Sequence, residues 1–152
     1  MDIYLFRHGD AEEGTSRRDD RERQLTERGK RETRRVAEAL RRAGVRPDRI
    51  ISTSLLRAQQ TAEILCKALG VEVAPSGLPA ETRLGDVERA VERGGDCIVI
   101  VGHAPYLGQV AGQLTGGPAL DLAKSGCVRI EAPYVGPATG RLIWLLTPEL
   151  FP

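Results

Sequence analysis

The chain has 152 residues, the length of one ordinary globular domain, and 41% of them are hydrophobic, which is enough for a buried core. Its 22 Lys and Arg residues nearly balance 21 Asp and Glu residues, and a net charge of +1 argues against a general nucleic-acid-binding protein. Because no apolar run could span a bilayer and no signal-peptide pattern is present, we expect one cytoplasmic domain over residues 1–152 without a membrane partner.

Apolar runs alternate with helical patterns along the chain. Helices are predicted where apolar residues recur three and four positions apart, and strands where short apolar runs are rich in β-branched residues. In chain order, the predicted elements are a strand at 3–6, a helix at 26–43, a strand at 49–52, a helix at 55–69, a weak strand at 71–74, a helix at 83–93, a strand at 97–101, a helix around 107–114 and strands at 128–131 and 142–146. Thr26 is a plausible N-cap, while Gly44 and Gly70 are plausible helix stops.

This alternation predicts an α/β fold with three layers, α/β/α, around a mostly parallel central sheet. The strand at 97–101 is the clearest, since a β-branched run of this kind suits the centre of a sheet that is buried on both faces. Residues 14–24 and 115–126 are the predicted loops.

Three cysteines, Cys66, Cys97 and Cys127, lie far apart in the sequence. Their odd number and wide spacing favour neither a disulfide framework nor a zinc site. We interpret them as reduced and mostly buried, as is typical of a cytoplasmic protein. No carboxylate or cysteine stands at a recognisable ligand spacing from a histidine, so we expect neither a metal nor another cofactor.

Both histidines of the chain follow a predicted strand. His8 comes just after the strand at 3–6, and His103 comes just after the strand at 97–101. Arg57 lies in the first turn of the helix that follows the strand at 49–52. Because ligands of open α/β sheets bind outside the carboxyl ends of the strands, we expect these three side chains to lie on one rim.

Two arginines on this rim favour an anion. A cation in the first turn of a helix opposes the helix dipole, at a cost of about 1 kcal/mol or less when exposed, and an anion bound there would relieve the conflict at Arg57. Arg7 and Arg57 would repel a metal cation, but their planar guanidinium groups suit the oxygens of a phosphoryl group. Taken singly, Arg57 is better explained as a surface arginine paired with a nearby carboxylate, and a lone histidine is more often a packed or surface residue than a catalyst.

Three stretches taken together resemble the histidine phosphatase superfamily, the phosphoglycerate-mutase-like group. They are Arg7-His8-Gly9, "SLLRAQQTAEIL" around Arg57 and "VGHAP" around His103. The short chain, the "RHGDA" form of the first motif, "RQLTERG" at 23–29 and "LPAETRLGDV" at 78–87 are similar to the SixA-type phosphohistidine phosphatases. The resemblance implies a compact phosphoglycerate-mutase-like fold without a large inserted helical subdomain. It covers residues 3 to about 114, and residues 115–152 add little to it.

The resemblance also implies a mechanism. His8 would be the nucleophile and would form a phosphohistidine intermediate that water then hydrolyses. To attack it must be neutral, and the positive charges of Arg7 and Arg57 favour the neutral ring. The catalytic residues implied are His8, Arg7, Arg57 and His103, and the phosphate-binding residues implied are Arg7, Arg23, Arg57, His103 and Gly9, the glycine giving room for close backbone approach.

The proton donor is left open. Many members of the superfamily use an acidic residue from a separate motif, and Glu81 in "PAETR" is the first positional candidate here, with Asp10 the second. The SixA-type branch is thought to need no conventional acid, which suits a P–N bond because the substrate imidazole can arrive already protonated. An alkyl phosphate ester would need general acid catalysis, worth roughly 10²–10⁴-fold.

The sequence therefore predicts a phosphohistidine phosphatase whose partner is a phosphorylated protein such as a histidine phosphotransfer domain. One alternative is a small-molecule phosphomonoesterase of the same superfamily that acts on a small phosphate ester with Glu81 as the acid. Another is a phosphate-binding module without catalysis. A mutase is less favoured, since the chain has little material for a lid that would protect the intermediate from water.

Overall fold

A computed structural model describes residues 1–14, 20–74 and 77–151; part of the predicted loop at 14–24 lies outside these ranges. The described elements are β1 (Asp2–Arg7), α1 (Glu27–Arg42), β2 (Arg49–Ser52), α2 (Leu56–Leu69), α3 (Leu84–Val91), β3 (Cys97–Gly102), α4 (Tyr106–Thr115), β4 (Cys127–Glu131), β5 (Arg141–Leu146) and a 3-10 turn (Pro148–Leu150). Within these ranges, no helix has both the length and the apolar character needed to cross a membrane.

The five strands form one sheet in the order β2-β3-β1-β4-β5. Strands β2, β3 and β1 pair in parallel, while β4 runs antiparallel to both of its neighbours, β1 and β5. Four of the described strands therefore point the same way, which confirms a mostly parallel sheet with β4 reversed. The pairing of Phe6 and Ser52 with Val101 brings the carboxyl ends of β1, β2 and β3 to one edge.

Helices cover both faces of this sheet and form two separate cores. Successive side chains of a strand point to opposite faces, so Ile3 and Leu5 enter one core while Tyr4 and Phe6 enter the other. Helices α3 and α4 pack on the first core, and α1 and α2 pack on the second. The three layers confirm the predicted α/β/α architecture.

Most predicted elements differ from the structure by one or two residues at their ends. The Thr26 hydroxyl caps α1 by accepting from the Gly29 N–H at 3.0 Å, and Gly70 ends α2 in the left-handed conformation at φ 70°. The strand predicted at 71–74 is wrong, because these residues form none. The Val71 N–H instead donates to the Cys66 carbonyl, and the segment then continues over the surface with the Val73 side chain 61% exposed.

Candidate active site

The two histidines meet where the central strands end. His8 directly follows β1 and His103 directly follows β3, and the His8 N–H donates to the Gly102 carbonyl at 3.0 Å. Their ring centroids lie 5.1 Å apart with the planes tilted by 54°. Strand β2 ends at the same edge and leads through Thr53 into α2, which carries Arg57 in its first turn. The chain thus brings these three side chains to one rim of the sheet.

The His8 ring is held in one tautomer. Its Nδ1 lies 2.7 Å from the Gly9 carbonyl, which can only accept, so Nδ1 carries the hydrogen and Nε2 keeps its lone pair in the neutral ring. The pKa of His8 is lowered to about 3; burial is the largest cause, His103, Arg57 and Arg7 add to it, and the Gly9 bond opposes them. At neutral pH this buried imidazole is uncharged and able to act as a nucleophile.

His103 is also neutral. Its Nε2 lies 2.6 Å from the Thr53 hydroxyl, and burial lowers its pKa to about 4, helped by Arg57, Arg7 and Arg23. If the Thr53 hydroxyl donates to Nε2, the ring carries its hydrogen on Nδ1 and can donate that hydrogen to a bound ligand.

Three arginines lie around the histidine pair. Arg57 is only 7% exposed; its Nη1 donates to the Asp20 carbonyl at 2.7 Å, and its Nη2 lies 3.7 Å from the Asp20 carboxylate. Arg23 binds the same carboxylate at 3.0 Å, so Asp20 joins the two guanidinium groups. Burial and the charge of Arg23 lower the pKa of Arg57, while Asp20 opposes them. Arg7 is fixed by donation to the Leu122 carbonyl at 2.8 Å.

Four buried nitrogens of these side chains lack hydrogen-bond partners among the described residues. They are the Nε atoms of Arg7, Arg23 and Arg57 and Nδ1 of His103. Buried polar groups are normally paired, and guanidinium nitrogens can only donate. A negatively charged ligand with several acceptor oxygens would accept hydrogen bonds from these nitrogens. A tetrahedral phosphoryl group is such a ligand.

The backbone at Gly9 packs against α1 and the segment that precedes β4. A Cβ on Gly9 would lie 2.9 Å from both the Gly29 carbonyl and the Thr33 hydroxyl, and 3.0 Å from the Ser125 hydroxyl. The Gly9 N–H is held by the Thr61 hydroxyl at 3.1 Å. The close backbone approach expected for this glycine is therefore present, but its partners in the structure are the protein's own groups.

Comparison with known proteins gives the family. A sequence model of the histidine phosphatase superfamily (branch 1) matches residues 3–94, more than half of the chain. This chain belongs to the histidine phosphatase superfamily. Membership indicates a phosphatase enzyme, and the matched range includes His8 and Arg57 but ends before His103.

Relatives of this histidine phosphatase extend along most of its length. An uncharacterized protein of Picosynechococcus sp. is 35% identical over 161 residues, which cover 97% of this chain and 96% of that protein. Phosphohistidine phosphatase SixA of Escherichia coli is 29% identical over 77% of this chain and 76% of its own. A solved structure of the protein histidine phosphatase SixA complexed with tungstate matches with a TM-score of 0.86 over 99% of both chains, at 24% identity. The likeness shows that the fold continues through residues 115–152.

Asp10 is the second candidate for the proton donor of this histidine phosphatase. In the structure its carboxylate forms an ion pair. One carboxylate oxygen accepts from the Lys124 ammonium at 2.9 Å and the other from the Thr26 hydroxyl at 2.8 Å. These two bonds lower the pKa of Asp10 below its usual value. Asp10 is thus a charged carboxylate at neutral pH with both oxygens occupied, which suits positioning of α1 better than proton donation.

Glu81, the first candidate, is exposed and has no hydrogen bond or ion pair with any residue in the described ranges. Its segment starts at the same edge of the sheet as the histidines, since Leu78 forms a parallel bridge with Thr53 and Thr53 in turn contacts His103. The Glu81 carboxyl is therefore not committed to a structural contact.

Sequence reasoning missed several residues of the site. The strand-end rule that singled out the histidines could also have found Thr53, which follows β2 directly. Nothing in the spacing marks Asp20 or the segment 122–126, because their positions depend on how loops return to the sheet. Ser125 donates its N–H to the Arg7 and His8 carbonyls, and its hydroxyl contacts Thr33, so residues 115–152 contribute to the site.

Across 1–14, 20–74 and 77–151, no group of three or more His, Cys, Asp or Glu side chains could hold a metal ion. The three cysteines are free thiols, and burial raises the pKa of Cys97 to about 11 and that of Cys127 further. Such thiols are poor nucleophiles at neutral pH.

Proposed function

We propose that this histidine phosphatase removes the phosphoryl group from a protein phosphohistidine through a covalent intermediate on His8. The observation that carries the proposal is a neutral, buried imidazole beside unpaired donors, namely the Nε atoms of Arg7 and Arg57 and Nδ1 of His103. A nucleophile and a set of preorganised anion donors are the two requirements of phosphoryl transfer. The similarity to phosphohistidine phosphatase SixA supports the same substrate class.

In the first step, the lone pair on Nε2 of His8 attacks phosphorus, and the P–N bond of the substrate breaks. The electron pair of that bond leaves with the substrate imidazole, which departs neutral when its other nitrogen already carries a proton. The new phosphohistidine ring is cationic, and the Gly9 carbonyl stabilises it by accepting from Nδ1. Arg7 and Arg57 hold the phosphoryl oxygens as their charge changes.

In the second step, water attacks the phosphorus of phosphorylated His8. The P–N bond breaks and its electron pair returns to Nε2, which restores the neutral ring with its hydrogen on Nδ1. The water proton leaves with the phosphate product or to solvent. His103, uncharged and held by the Thr53 hydroxyl, donates to a phosphoryl oxygen in both steps.

The state of Asp10, one of the two proton-donor candidates, favours a substrate with a P–N bond over a phosphate ester. Asp10 is charged and bound by Lys124, so it is a poor donor to an alkoxide leaving group. The imidazole of a phosphohistidine needs no such donor. The uncommitted Glu81 carboxyl supports one alternative, a small-molecule phosphomonoesterase in which Glu81 protonates the leaving oxygen.

A substrate comparison tests the proposal. The purified protein is mixed with a histidine phosphotransfer domain phosphorylated on its histidine and, separately, with sugar phosphates and p-nitrophenyl phosphate. We expect kcat/KM for phosphate release to be highest with the phosphohistidine protein. Fast release from the small esters alone would reject the phosphohistidine assignment and favour the phosphomonoesterase.

A further inference from the structure

The outward face of α1 concentrates positive charge. Residues 27–42 of this helix contain seven Lys and Arg and only three Asp and Glu, a net charge of +4 in a chain whose total is +1. Several of these cations are neutralised within the helix, since Lys30 pairs with Glu27, and Arg41 and Arg42 pair with Glu38. The excess must therefore be carried by other side chains of the helix.

Three exposed arginines carry most of that excess, and we name Arg31, Arg34 and Arg35 together the arginine face. None of them forms an ion pair with the described part of the chain. Like charges this close repel one another, so the cluster is stabilised when negative charge from outside approaches it.

The arginine face lies close to the active site along the helix axis. The first turn of α1 touches the His8 loop, because Gly29 packs on the Asp10 backbone. At a rise of about 1.5 Å per residue, the arginine face starts roughly 3 Å and ends roughly 9 Å beyond Gly29. A protein that delivers a phosphoryl group to His8 can therefore reach this face with the residues that flank its phosphohistidine.

A groove of about 640 Å³ continues the face toward the C-terminus of the chain. Its lining includes Arg34, Arg35, Glu38 and Arg42 together with Leu150 and Phe151. Leu150 is 66% exposed. Arginines beside an exposed apolar side chain suit an acidic protein segment that also carries an apolar residue.

We propose that the arginine face is a docking surface for acidic residues that flank the phosphohistidine of a protein substrate. This inference rests on the proposed function and adds what the substrate must present beside its phosphohistidine. Helix α1 has no aromatic residue on which bases could stack, and the exposed apolar Leu150 beside its arginines suits a protein side chain, which favours a protein over a nucleic acid. A cluster of one charge sign raises association rates by about 10–10³-fold at low salt.

Two phosphohistidine peptides test the proposal. They have the same length and differ only in their flanks, which are rich in Asp and Glu in one peptide and neutral in the other. With the wild-type protein we expect kcat/KM at low salt to be about tenfold higher for the acidic peptide, mostly through KM, and the preference to fall as NaCl is added. The triple variant Arg31→Glu, Arg34→Glu, Arg35→Glu should lose this preference and still hydrolyse the neutral peptide.

A control variant tests whether the preference depends on the arginine face itself or only on the net charge of the protein. Arg46→Glu, Lys67→Glu and Arg93→Glu together make the same change in charge at exposed positions elsewhere, and this variant should keep the preference. Equal kcat/KM for both peptides with the wild-type protein would overturn the docking surface and leave phosphohistidine hydrolysis intact. Hydrolysis of small esters but of neither peptide would reject the proposed function itself. Binding of RNA or anionic vesicles through these arginines, without a peptide preference, would also overturn the proposal.

Discussion

At the residue scale, the proposed chemistry depends on a histidine, His8, that stays uncharged where an ordinary histidine is half protonated. Burial is the main cause, and His103, Arg57 and Arg7 add to it, while the Gly9 carbonyl selects the tautomer with the hydrogen on Nδ1. A neutral ring in this tautomer already has a free lone pair on Nε2, so no separate base is needed to deprotonate it. The same lowered pKa keeps the proposed nucleophile uncharged well below neutral pH.

Nuclear magnetic resonance of the ring nitrogens can test this directly, because the chain has only two histidines. We expect the His8 ring to remain neutral, with the hydrogen on Nδ1, as the pH falls from 7 through 5, since its pKa is lowered to about 3. A His103→Gln variant assigns the two sets of signals. A His8 titration near the ordinary value of about 6.5 would refute the neutral nucleophile.

Whether the leaving group needs a proton from Glu81 is also a question at the residue scale. Glu81→Gln should leave phosphohistidine hydrolysis nearly unchanged, because a protonated imidazole leaves without an acid. If Glu81 serves as the acid for any ester hydrolysis, that rate should fall by roughly 10²-fold or more. Steady-state rates on both substrates measure this, and Glu88→Gln, an exposed carboxylate on α3, is the matched control. A comparable fall in phosphohistidine hydrolysis would show that the P–N bond needs the acid too.

At the element scale, the site depends on how closely α1 approaches the loop after β1. A Cβ on Gly29 would collide with the Asp10 backbone, and a Cβ on Gly9 would press on α1 from the other side. The ion pair of Asp10 with Lys124 adds a third element to this junction. The position of His8 is thus coupled to the first turn of α1.

Gly29→Ala tests that coupling. We expect the free energy of unfolding to fall by about 1–3 kcal/mol, the usual cost of overpacking, and kcat/KM to fall with it as the His8 loop moves. Gly85→Ala in the first turn of α3 is the matched control, because its Cβ would be 3.6 Å from only a flexible arginine end. The control should be unchanged or slightly more stable. Urea denaturation of both variants measures this, and equal stabilities would contradict the close contact at Gly29.

Most helices and strands, and part of the candidate site, could be predicted from the sequence. Helical spacing and β-branched runs identified most elements, and the strand-end rule placed His8, His103 and Arg57 because parallel strands end at one edge. Local patterns do not determine whether a short apolar run finds a sheet partner, which is why 71–74 was wrong. They also do not reveal contacts across loops, such as those of Asp20 and Leu122 with the site arginines.

At the scale of the whole molecule, the last quarter of the chain, residues 115–152, contributes to the candidate site although it carries none of the three motifs. Strand β4 pairs with β1 on the side opposite β3, so the strand that leads to His8 is held from both sides. The segment before β4 supplies the carbonyl that fixes Arg7 and the hydroxyl of Ser125 next to Gly9. The structural match to SixA covers 99% of both chains, so the two proteins share the fold of this last segment as well.

The central claim is that His8 carries the phosphoryl group during turnover. The most direct measurement is mass spectrometry of the enzyme quenched in alkali while it turns over a phosphohistidine protein, since phosphohistidine is lost in acid. We expect a phosphoryl adduct on the peptide that contains His8. The adduct should be absent from the His8→Asn variant and still present in the His103→Asn variant. Full turnover by His8→Asn, or an adduct on His103 alone, would contradict it.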